Sequence, residues 1–444
     1  MNEKEVFELK HGSHRYLSRP IAATLVSAGL LTFGAFGGMA SANAKAAPTT
    51  LVMYSANPAA VPYYRQLLKP FEAEHNVNVK IIAVASSSFM QVFDGAVTAH
   101  QPIDVMDLNG QNLQYLAKEG IVQNLTSSMK PILNRFRSAA LNTYIIKGKV
   151  WALPFGSMST SGLYYNTTIF SKYHLKVPHT FRQLVADAKV LKSHNIIPIG
   201  FGGESIYMWP MWFFQTFAQT THDHPLQQTT ATLRGKVSFT APEYVQAMNA
   251  LAQFSKDGLF ETGVNGVNST GGEALFTDGK AAMFYGGSWE LSTFLPAEKT
   301  GLRFSVAPFP LVTRGVNFAL PTGGSGGALA IYSKIAPSHE KLAQELLNYV
   351  TTDTFQKKLT VDTSGIFSGN KGVVGLSNPV VEKMNHTLLP KTVTFLDWIW
   401  PPQIVTAFQE NIQGVIGGQE TAKAAMEKIE ATYKQLVATG YRYQ

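Results

Sequence analysis

The sequence has no cysteine among its 444 residues and few charged residues. The absence of cysteine excludes disulfides, thiolate nucleophiles, zinc–thiolate and iron–sulfur sites, and lipid attachment through a thiol. Charged residues make up only 15% of the chain and hydrophobic residues 45%, which excludes a disordered chain or a coiled coil. A globular protein of this length is expected to contain two or three domains.

The sequence also lacks a run of basic residues. Its formal net charge is +8, but the Lys and Arg residues are scattered along the chain. Nucleic-acid-binding patches usually need clusters of roughly five to eight basic residues. We therefore interpret the positive charge as a solubility property and expect no nucleic-acid partner.

The first 44 residues have the pattern of a signal peptide. Lys10, Arg15 and Arg19 precede a charge-free stretch, 20–44, which ends in Ala-Ser-Ala-Asn-Ala. Small residues at these spacings predict cleavage after Ala42 or Ala44 and export to the periplasm, cell surface or medium. The alternative is a retained membrane anchor, because ~20 apolar residues can span a bilayer.

The rest of the chain alternates strand and helix patterns. Apolar runs at 49–54, 77–84 and 103–108 predict strands, and the helical spacing at 61–75 predicts a helix that Pro70 should kink or split. This order predicts an α/β fold with a mostly parallel sheet. The small residues at 156–161 are a candidate crossing between domains.

Three helix starts carry capping signals. Thr180 with Gln183 and Thr240 with Glu243 have the spacing of a capping box, and Ser338 precedes another helical stripe.

Several motifs occur in an order that resembles one family. They are KGKVWALPFG (147–156), GLYYN (162–166), KVPHTFRQLVADAKVLK (176–192), FTDGKAAMFYGGSW (276–289) and the later segments ALAIYSKIAPSHEKLAQELLNYV and GGQETAKAAMEKI. Together they resemble the carbohydrate-binding branch of the family 1 extracellular solute-binding proteins of ABC importers. The resemblance covers nearly the whole chain after residue 44.

The resemblance implies a class II periplasmic-binding-protein fold with two hinged α/β lobes and a central cleft. It implies an N-terminal lobe from 45–157 plus 316–364 and a C-terminal lobe from 158–315 plus 365–444, with crossings near 157–161, 308–315 and 364–371. A carbohydrate ligand and the permease subunits of an importer are the implied partners of a monomer with no cofactor, no metal and no enzymatic activity. Relatives anchored through a lipidated cysteine differ from this chain, which has none.

Tryptophan side chains are the candidate walls of a sugar site, because indole faces stack on the apolar faces of sugar rings. By resemblance, Trp289 of the Gly-Gly-Ser-Trp element forms the stacking platform, with a core position as the alternative. An extended segment would place Trp398 and Trp400 on the same face. Trp209 and Trp212 share a helix face; we expect Trp212 in the core and Trp209 at the ligand, and we expect Trp151 in the core.

Polar ligand contacts are expected in loops at the carboxyl ends of strands, where open α/β sheets bind ligands. An Asn in a turn, however, more often stabilises the backbone conformation of the turn than binds a ligand. The polar and small residues predicted at the site are Tyr54, Asn57, Asn109, Gln111, Ser159, Glu204, Gly324 and Ser325.

Several other interpretations compete with this one. Residues 323–327 match the Gly-x-Ser-x-Gly motif of serine hydrolases, but a strand pattern follows where a helix is needed. The His222-Asp223-His224 segment could suggest a metal, although a solvated polar loop fits it better. The tyrosine pairs 63–64 and 164–165 could suggest iron binding, although alternation along a strand separates such side chains. An exported glycosidase with paired carboxylates, or a binding protein for a non-sugar solute, stays open as an alternative.

Overall fold

The computed structural model describes residues 47–85, 88–108, 110–361 and 367–443. The predicted signal peptide (1–44) and Asn109 lie outside these ranges. The strands are β1 (Thr49–Ser55), β2 (Val77–Ala83), β3 (Val105–Leu108), β4 (Ile145–Ile146), β5 (Lys149–Val150), β6 (Leu153–Asn166), β7 (Ile197–Gly200), β8 (Ala281–Gly287), β9 (Phe304–Ala307), β10 (Thr322–Ile331), β11 (Phe367–Ser368) and β12 (Val393–Thr394).

The α-helices alternate with the strands along the chain. They are α1 (Val61–Leu67), α2 (Lys69–His75), α3 (Phe89–Thr98), α4 (Gly110–Lys118), α5 (Ser138–Asn142), α6 (Thr167–Lys172), α7 (Phe181–Ser193), α8 (Trp209–Thr220), α9 (Pro225–Leu233), α10 (Pro242–Lys256), α11 (Ser269–Thr277), α12 (Leu291–Ala297), α13 (Pro337–Val350), α14 (Asp353–Val361), α15 (Pro379–Thr387), α16 (Pro402–Ile416) and α17 (Ala422–Ala438).

Ten of these strands form one mixed sheet with the main order β2-β1-β3-β10-β6-β8-β7, and β4 and β5 form a separate two-stranded sheet. Strands β1, β2 and β3 are parallel to one another, as are β7 and β8, whereas β10 is antiparallel to β3 and β6. The α/β prediction is therefore confirmed, and parallel pairing holds within each end of the sheet. We call β2, β1 and β3 the N-terminal half-sheet and β8, β7 and β9 the C-terminal half-sheet.

Strand β6 links the two half-sheets. Its first part pairs with β10, from Leu153 opposite Leu329 to Thr160 opposite Gly323. Its second part pairs with β8, beginning with Ser161 opposite Gly287, and with β9. The small side chains of 156–161, read from the sequence as a crossing, thus lie where one strand passes from one half-sheet to the other.

The buried apolar side chains form three clusters. Two of the clusters consist of residues from 51–155 and 328–359, and the third cluster consists of residues from 140–319 and 367–433. Alternate residues of β1 enter different clusters: Leu51 and Met53 face one, and Val52 and Tyr54 face the other. The N-terminal half-sheet is therefore covered on both faces, as the alternation of side chains along a strand requires.

The local helix signals have mixed outcomes. Pro70 is in the first turn of α2, so the 61–75 segment is split as predicted. Thr180 and Gln183 form a complete capping box before α7. The two other caps are wrong, since α10 and α13 begin at Pro242 and Pro337, which leaves Thr240 before the helix and Ser338 inside it.

Residues of the predicted 308–315 crossing have partners in the C-terminal part of the chain. Leu311 pairs with Thr180, and the backbone N–H of Val312 donates to Gln219 at 2.7 Å, so this segment packs beside α7 and α8. Phe367 and Ser368, in the described part of the predicted 364–371 crossing, pair with β6. The predicted lobe boundaries themselves stay a prediction.

Candidate functional site

The two half-sheets present their carboxyl edges to the same crossing. Strand β3 ends at Leu108 beside β10, and β8 ends at Gly287 opposite Ser161 of β6. The residues that follow these strands therefore lie on the two sides of the β6–β10 crossing. Open α/β sheets bind ligands at such edges, so the crossing marks the candidate site.

A buried carboxyl group organises the N-terminal edge. Asp107 accepts a 2.6 Å hydrogen bond from the Ser55 hydroxyl and another from Tyr64, and its burial raises its pKa to about 6. The backbone N–H of Asn57 donates to the same Ser55 oxygen at 3.2 Å. The Asn57 side chain also contacts the Tyr64 hydroxyl. This network holds the turn after β1 and presents the exposed Asn57 at the edge.

Trp289 is at the corresponding position of the C-terminal edge. Its six-membered ring lies over Gly287, so closely that no Cβ could fit there, and 38% of the residue stays exposed. Two hydrogen bonds fix the preceding backbone: Tyr164 donates to the Gly287 carbonyl at 2.9 Å, and the Thr160 N–H donates to the Ser288 hydroxyl at 3.3 Å. The indole is thus a rigid, partly open surface.

Behind Trp289 lies a pair of carboxyl groups. Glu290 is 3% exposed, and its Cγ lies close to Gly286. Burial, and then the neighbouring Glu273, raise the pKa of Glu290 well above its usual range, while a hydrogen bond from Trp289 lowers it. Thr293 donates to Glu273 at 2.8 Å. Glu290 is therefore a buried carboxyl group that binds its proton more tightly than an exposed glutamate does.

Three aromatic side chains, of which Trp289 is the first, form a row toward the crossing. The ring centroids of Trp289 and Phe395 are 6.2 Å apart, and those of Phe395 and Trp398 are 5.0 Å apart. Trp398 in turn covers Gly324, where a Cβ would lie 3.1 Å from the ring. We call Trp289, Phe395 and Trp398 the aromatic row. A cavity of about 430 Å³ opens beside Trp398 and is also lined by Leu113, Asn142 and Gly323.

Several predicted site residues lie around this crossing. Asn57 and Trp289 are on its two sides, Gly324 lies under Trp398, and Ser159 donates to the Gly324 carbonyl at 3.2 Å. Glu204 is exposed in the turn after β7, the strand beside β8. The backbone of Gln111 is in the first turn of α4, which follows β3. Ligand contact by these residues stays a prediction.

Four predicted residues are buried away from an open surface. Tyr54 is 4% exposed and packs edge-to-face on Phe93, and Ser325 is fully buried. Trp209 is also fully buried, because α8 is enclosed along its whole length and the Trp209 indole donates to the Gly203 carbonyl at 3.0 Å. We remove all of these from the candidate site, together with Trp400.

The pairing of Trp398 with Trp400 on one face is wrong. Residues Leu396–Trp398 form a 3₁₀ turn rather than an extended chain, so the alternation rule does not apply. Trp400 is 2% exposed and stacks on Phe408 with centroids 3.9 Å apart. Trp212 is in the core as expected, and Trp151 is partly buried against the N-terminal core.

Sequence reasoning missed four residues of this region, namely Asp107, Tyr207, Glu290 and Phe395. Asp107 is the penultimate residue of β3, and Phe395 immediately follows β12. Tyr207 is 57% exposed, and partial burial of its hydroxyl, followed by the neighbouring Glu290 and Glu273, raises its pKa. The position of Asp107 at a strand's carboxyl end was a usable signal, whereas nothing local distinguished Phe395 from a core residue.

The competing motifs do not have the required surroundings. Gly323–Gly327 lies within β10, without the strand-to-helix turn of a nucleophile elbow. His222 and Asp223 are in an exposed turn with positive φ angles. In the described ranges, no group of three or more His, Asp or Glu side chains could hold a metal ion. No helix in those ranges is long and apolar enough to cross a membrane.

Comparison with known proteins identifies the family. The family model described as bacterial extracellular solute-binding protein matches residues 55–357 of this sequence. The multiple sugar-binding protein of Streptococcus mutans is 24% identical over 76% of this chain and 78% of its own length. The galactooligosaccharide-binding protein of Bacillus subtilis is 22% identical over 82% of this chain and 84% of its own length.

Solved structures show the same fold. A chitin oligosaccharide binding protein superposes with a TM-score of 0.77 at 22% identity, covering 88% of this chain and 99% of that protein. The solute-binding protein RafE in complex with raffinose superposes with a TM-score of 0.73 at 20% identity, covering 87% of this chain and 99% of that protein. The chain belongs to the bacterial extracellular solute-binding protein family and has its two-lobe α/β fold. The predictions of family and fold are confirmed, and the relatives named above are binding proteins rather than enzymes.

Proposed function

We propose that this protein is the sugar-binding receptor of an ABC importer. The observation that carries the proposal is the aromatic row, which lies between two hydrogen-bonded strand edges and leaves Trp289 38% exposed. Stacked aromatic faces with polar groups beside them are the surroundings that a sugar ring needs. The names of the two relatives, a multiple sugar-binding protein and a galactooligosaccharide-binding protein, support this ligand class.

The proposed mechanism is closure of two lobes around the sugar. Asn57 and the turn held by Asp107 belong to one edge, and Trp289 belongs to the other. A ligand that contacts both edges binds the closed state better than the open state and shifts the population toward it. The closed form is then the form that the permease subunits recognise, and the sugar leaves chemically unchanged.

The core clusters suggest where the lobes divide. Ala319 packs in the third cluster, whereas Ala328 packs with the N-terminal half-sheet. We therefore place the second crossing within β10 rather than at residue 315 or 316. The first crossing stays within β6, and the third stays near Phe367 and Ser368.

Location and assembly belong to the same proposal. The 1–44 pattern and the family support export to the periplasm or cell surface, without a cysteine-linked lipid. We propose a monomeric receptor, because one chain supplies both edges of the site.

Calorimetry with a panel of mono- and oligosaccharides tests the proposal. We expect at least one sugar to bind with a Kd near 1 μM, which corresponds to about −8 kcal/mol. Chromatography of the recovered sugar separates this function from that of an exported glycosidase, whose product would be shorter than the starting material. Binding of no sugar in the panel, or cleavage of the bound sugar, would overturn the proposal.

A further inference from the structure

The cavity beside the crossing is lined by segments that are far apart in the sequence. It is the cavity of about 430 Å³ that Trp398 of the aromatic row lines. Its lining also includes Asn142 of α5 and Ile145 of β4, together with Leu226 of α9 and Tyr443. In the lobe division proposed above, α5 and β4 belong to the N-terminal lobe, whereas α9 and Tyr443 belong to the C-terminal lobe. A ligand that fills this cavity would therefore contact both lobes.

The short segment that follows α17 is fixed to its surroundings. The backbone N–H of Tyr441 donates to the Leu436 carbonyl at 3.2 Å. The Arg442 guanidinium donates to the Val437 carbonyl at 2.9 Å. The rings of Tyr441 and Tyr443 are partly buried and pack against the third core cluster. The backbone that carries Tyr443 is therefore held by hydrogen bonds on one side and by the core on the other.

Arg234, the residue after α9, contacts the ring of Tyr443. Its guanidinium carbon lies 5.8 Å from the ring centroid, which is a cation–π contact. The aromatic row has other neighbours, since Trp398 contacts Phe395 and covers Gly324. Tyr443 stays partly exposed where it lines the cavity. The cavity thus has a second aromatic surface, which is held by contacts of its own.

Two aromatic surfaces in one cavity suit a ligand that has more than one sugar ring. Each aromatic face can stack on the apolar face of one sugar unit, while amide and hydroxyl groups beside it bind the hydroxyl rim. Asn142, Thr143 and Thr394 supply such groups in the cavity lining. We propose that the ligand is an oligosaccharide and that Tyr443 binds a sugar unit other than the one at the aromatic row. This inference rests on the proposed function, because it assigns a specificity-determining residue to the same site.

Sugars of increasing length provide the test. Calorimetry of the full chain compares glucose, galactose and N-acetylglucosamine with their β-1,4-linked dimers, trimers and tetramers, and glucose with its α-1,4-linked series. Within a series that binds, we expect affinity to rise at least roughly tenfold from the shortest member that binds to the tetramer, because only longer sugars reach Tyr443. Tyr443→Ala should weaken tetramer binding at least roughly fivefold and should change binding of that shortest member by less than about twofold.

Two further variants separate sugar contact from support of the fold. Tyr443→Phe keeps the ring and should bind every length as the wild type does. Tyr173→Ala is the matched control, because Tyr173 is also partly buried against the third core cluster and has the Lys172 Nζ 5.1 Å from its ring centroid. Tyr173 follows α6 and stacks on His194, away from the cavity lining. Its removal should leave the dependence of affinity on sugar length unchanged.

The dependence on length separates this inference from the function on which it rests. A tetramer that binds no more tightly than the shortest binding member, or a Tyr443→Ala variant with wild-type affinity for the tetramer, would overturn the role of Tyr443 and leave the receptor function standing. Equal weakening at every length would show that Tyr443 supports the shape of the site, and would overturn its contact with a further sugar unit. Binding by no member of any series would count against the proposed function itself.

Discussion

The indole of Trp289 covers the Cα of Gly287 and leaves no room for a side chain at position 287. Because the Gly287 carbonyl also accepts a hydrogen bond from the Tyr164 hydroxyl, the backbone cannot move away from the indole without losing that buried hydrogen bond. Gly287→Ala should therefore push the indole out of the aromatic row. We expect calorimetry to show sugar affinity at least tenfold weaker, equivalent to about 1.4 kcal/mol.

A second glycine gives the control for this change. Gly266 is in a 3₁₀ turn, and a Cβ there would meet no heavy atom within 4 Å. Gly266→Ala should leave sugar affinity as in the wild type. Equal affinities of Gly287→Ala and the wild type would show that the position of the indole does not matter for binding.

Removal of the Trp289 side chain tests the stacking surface itself. Trp289→Ala should weaken sugar binding by at least roughly tenfold, because the partly exposed ring is the platform at the C-terminal edge. The free energy of unfolding should change by less than about 1 kcal/mol, since the ring is not enclosed in the core. Calorimetry and urea denaturation measure the two effects, and an unchanged affinity would contradict the assignment.

Trp398 and Trp400 should respond differently to the same substitution. Trp400→Ala removes a ring that is 2% exposed and stacked on Phe408, and should cost about 3 to 5 kcal/mol of unfolding free energy. Trp398→Ala removes a partly exposed ring and should mainly weaken sugar binding. Urea denaturation combined with calorimetry distinguishes them, and similar losses of stability would argue against a separate role for Trp398.

The burial of Asp107 predicts a dependence of stability on pH. Its pKa is raised by burial to about 6 in the folded protein, compared with about 3.9 for an unfolded aspartate. Between these values the folded state holds more protons than the unfolded state, so stability falls as the pH rises from about 4 to about 6. The shift of about two units corresponds to about 3 kcal/mol.

Asp107→Asn should remove this component, because an amide does not titrate and can still accept from Ser55. The measurement is the free energy of unfolding from urea denaturation at several values of pH between 4 and 7. Other buried carboxyl groups, including Asp397 with a pKa raised to about 7, contribute to the dependence of unfolding free energy on pH in both proteins. A variant with the full wild-type slope between pH 4 and 6 would show that Asp107 does not contribute.

Local signals predicted those parts of the fold that depend on neighbouring residues. The capping box at Thr180 and Gln183 and the helix break at Pro70 formed as expected, because both depend on geometry within one turn. Thr240 and Ser338 had similar signals but failed, since Pro242 and Pro337 each occupy the first turn of the following helix. A proline in that first turn has no N–H that a cap must satisfy.

The sequence by itself determined the class and the α/β alternation, since composition, periodicity and ordered motifs are properties of the chain. It left Trp289 open between a ligand platform and a core position, and the structure leaves this residue 38% exposed. Only the tertiary structure decided which aromatic side chains share a surface. Trp400 stacks on Phe408 of α16 and Trp209 begins the fully buried helix α8, whereas Phe395 joins Trp289 from a segment more than a hundred residues away. Long-range packing brings such residues together, and the period of a single strand or helix contains no information about it.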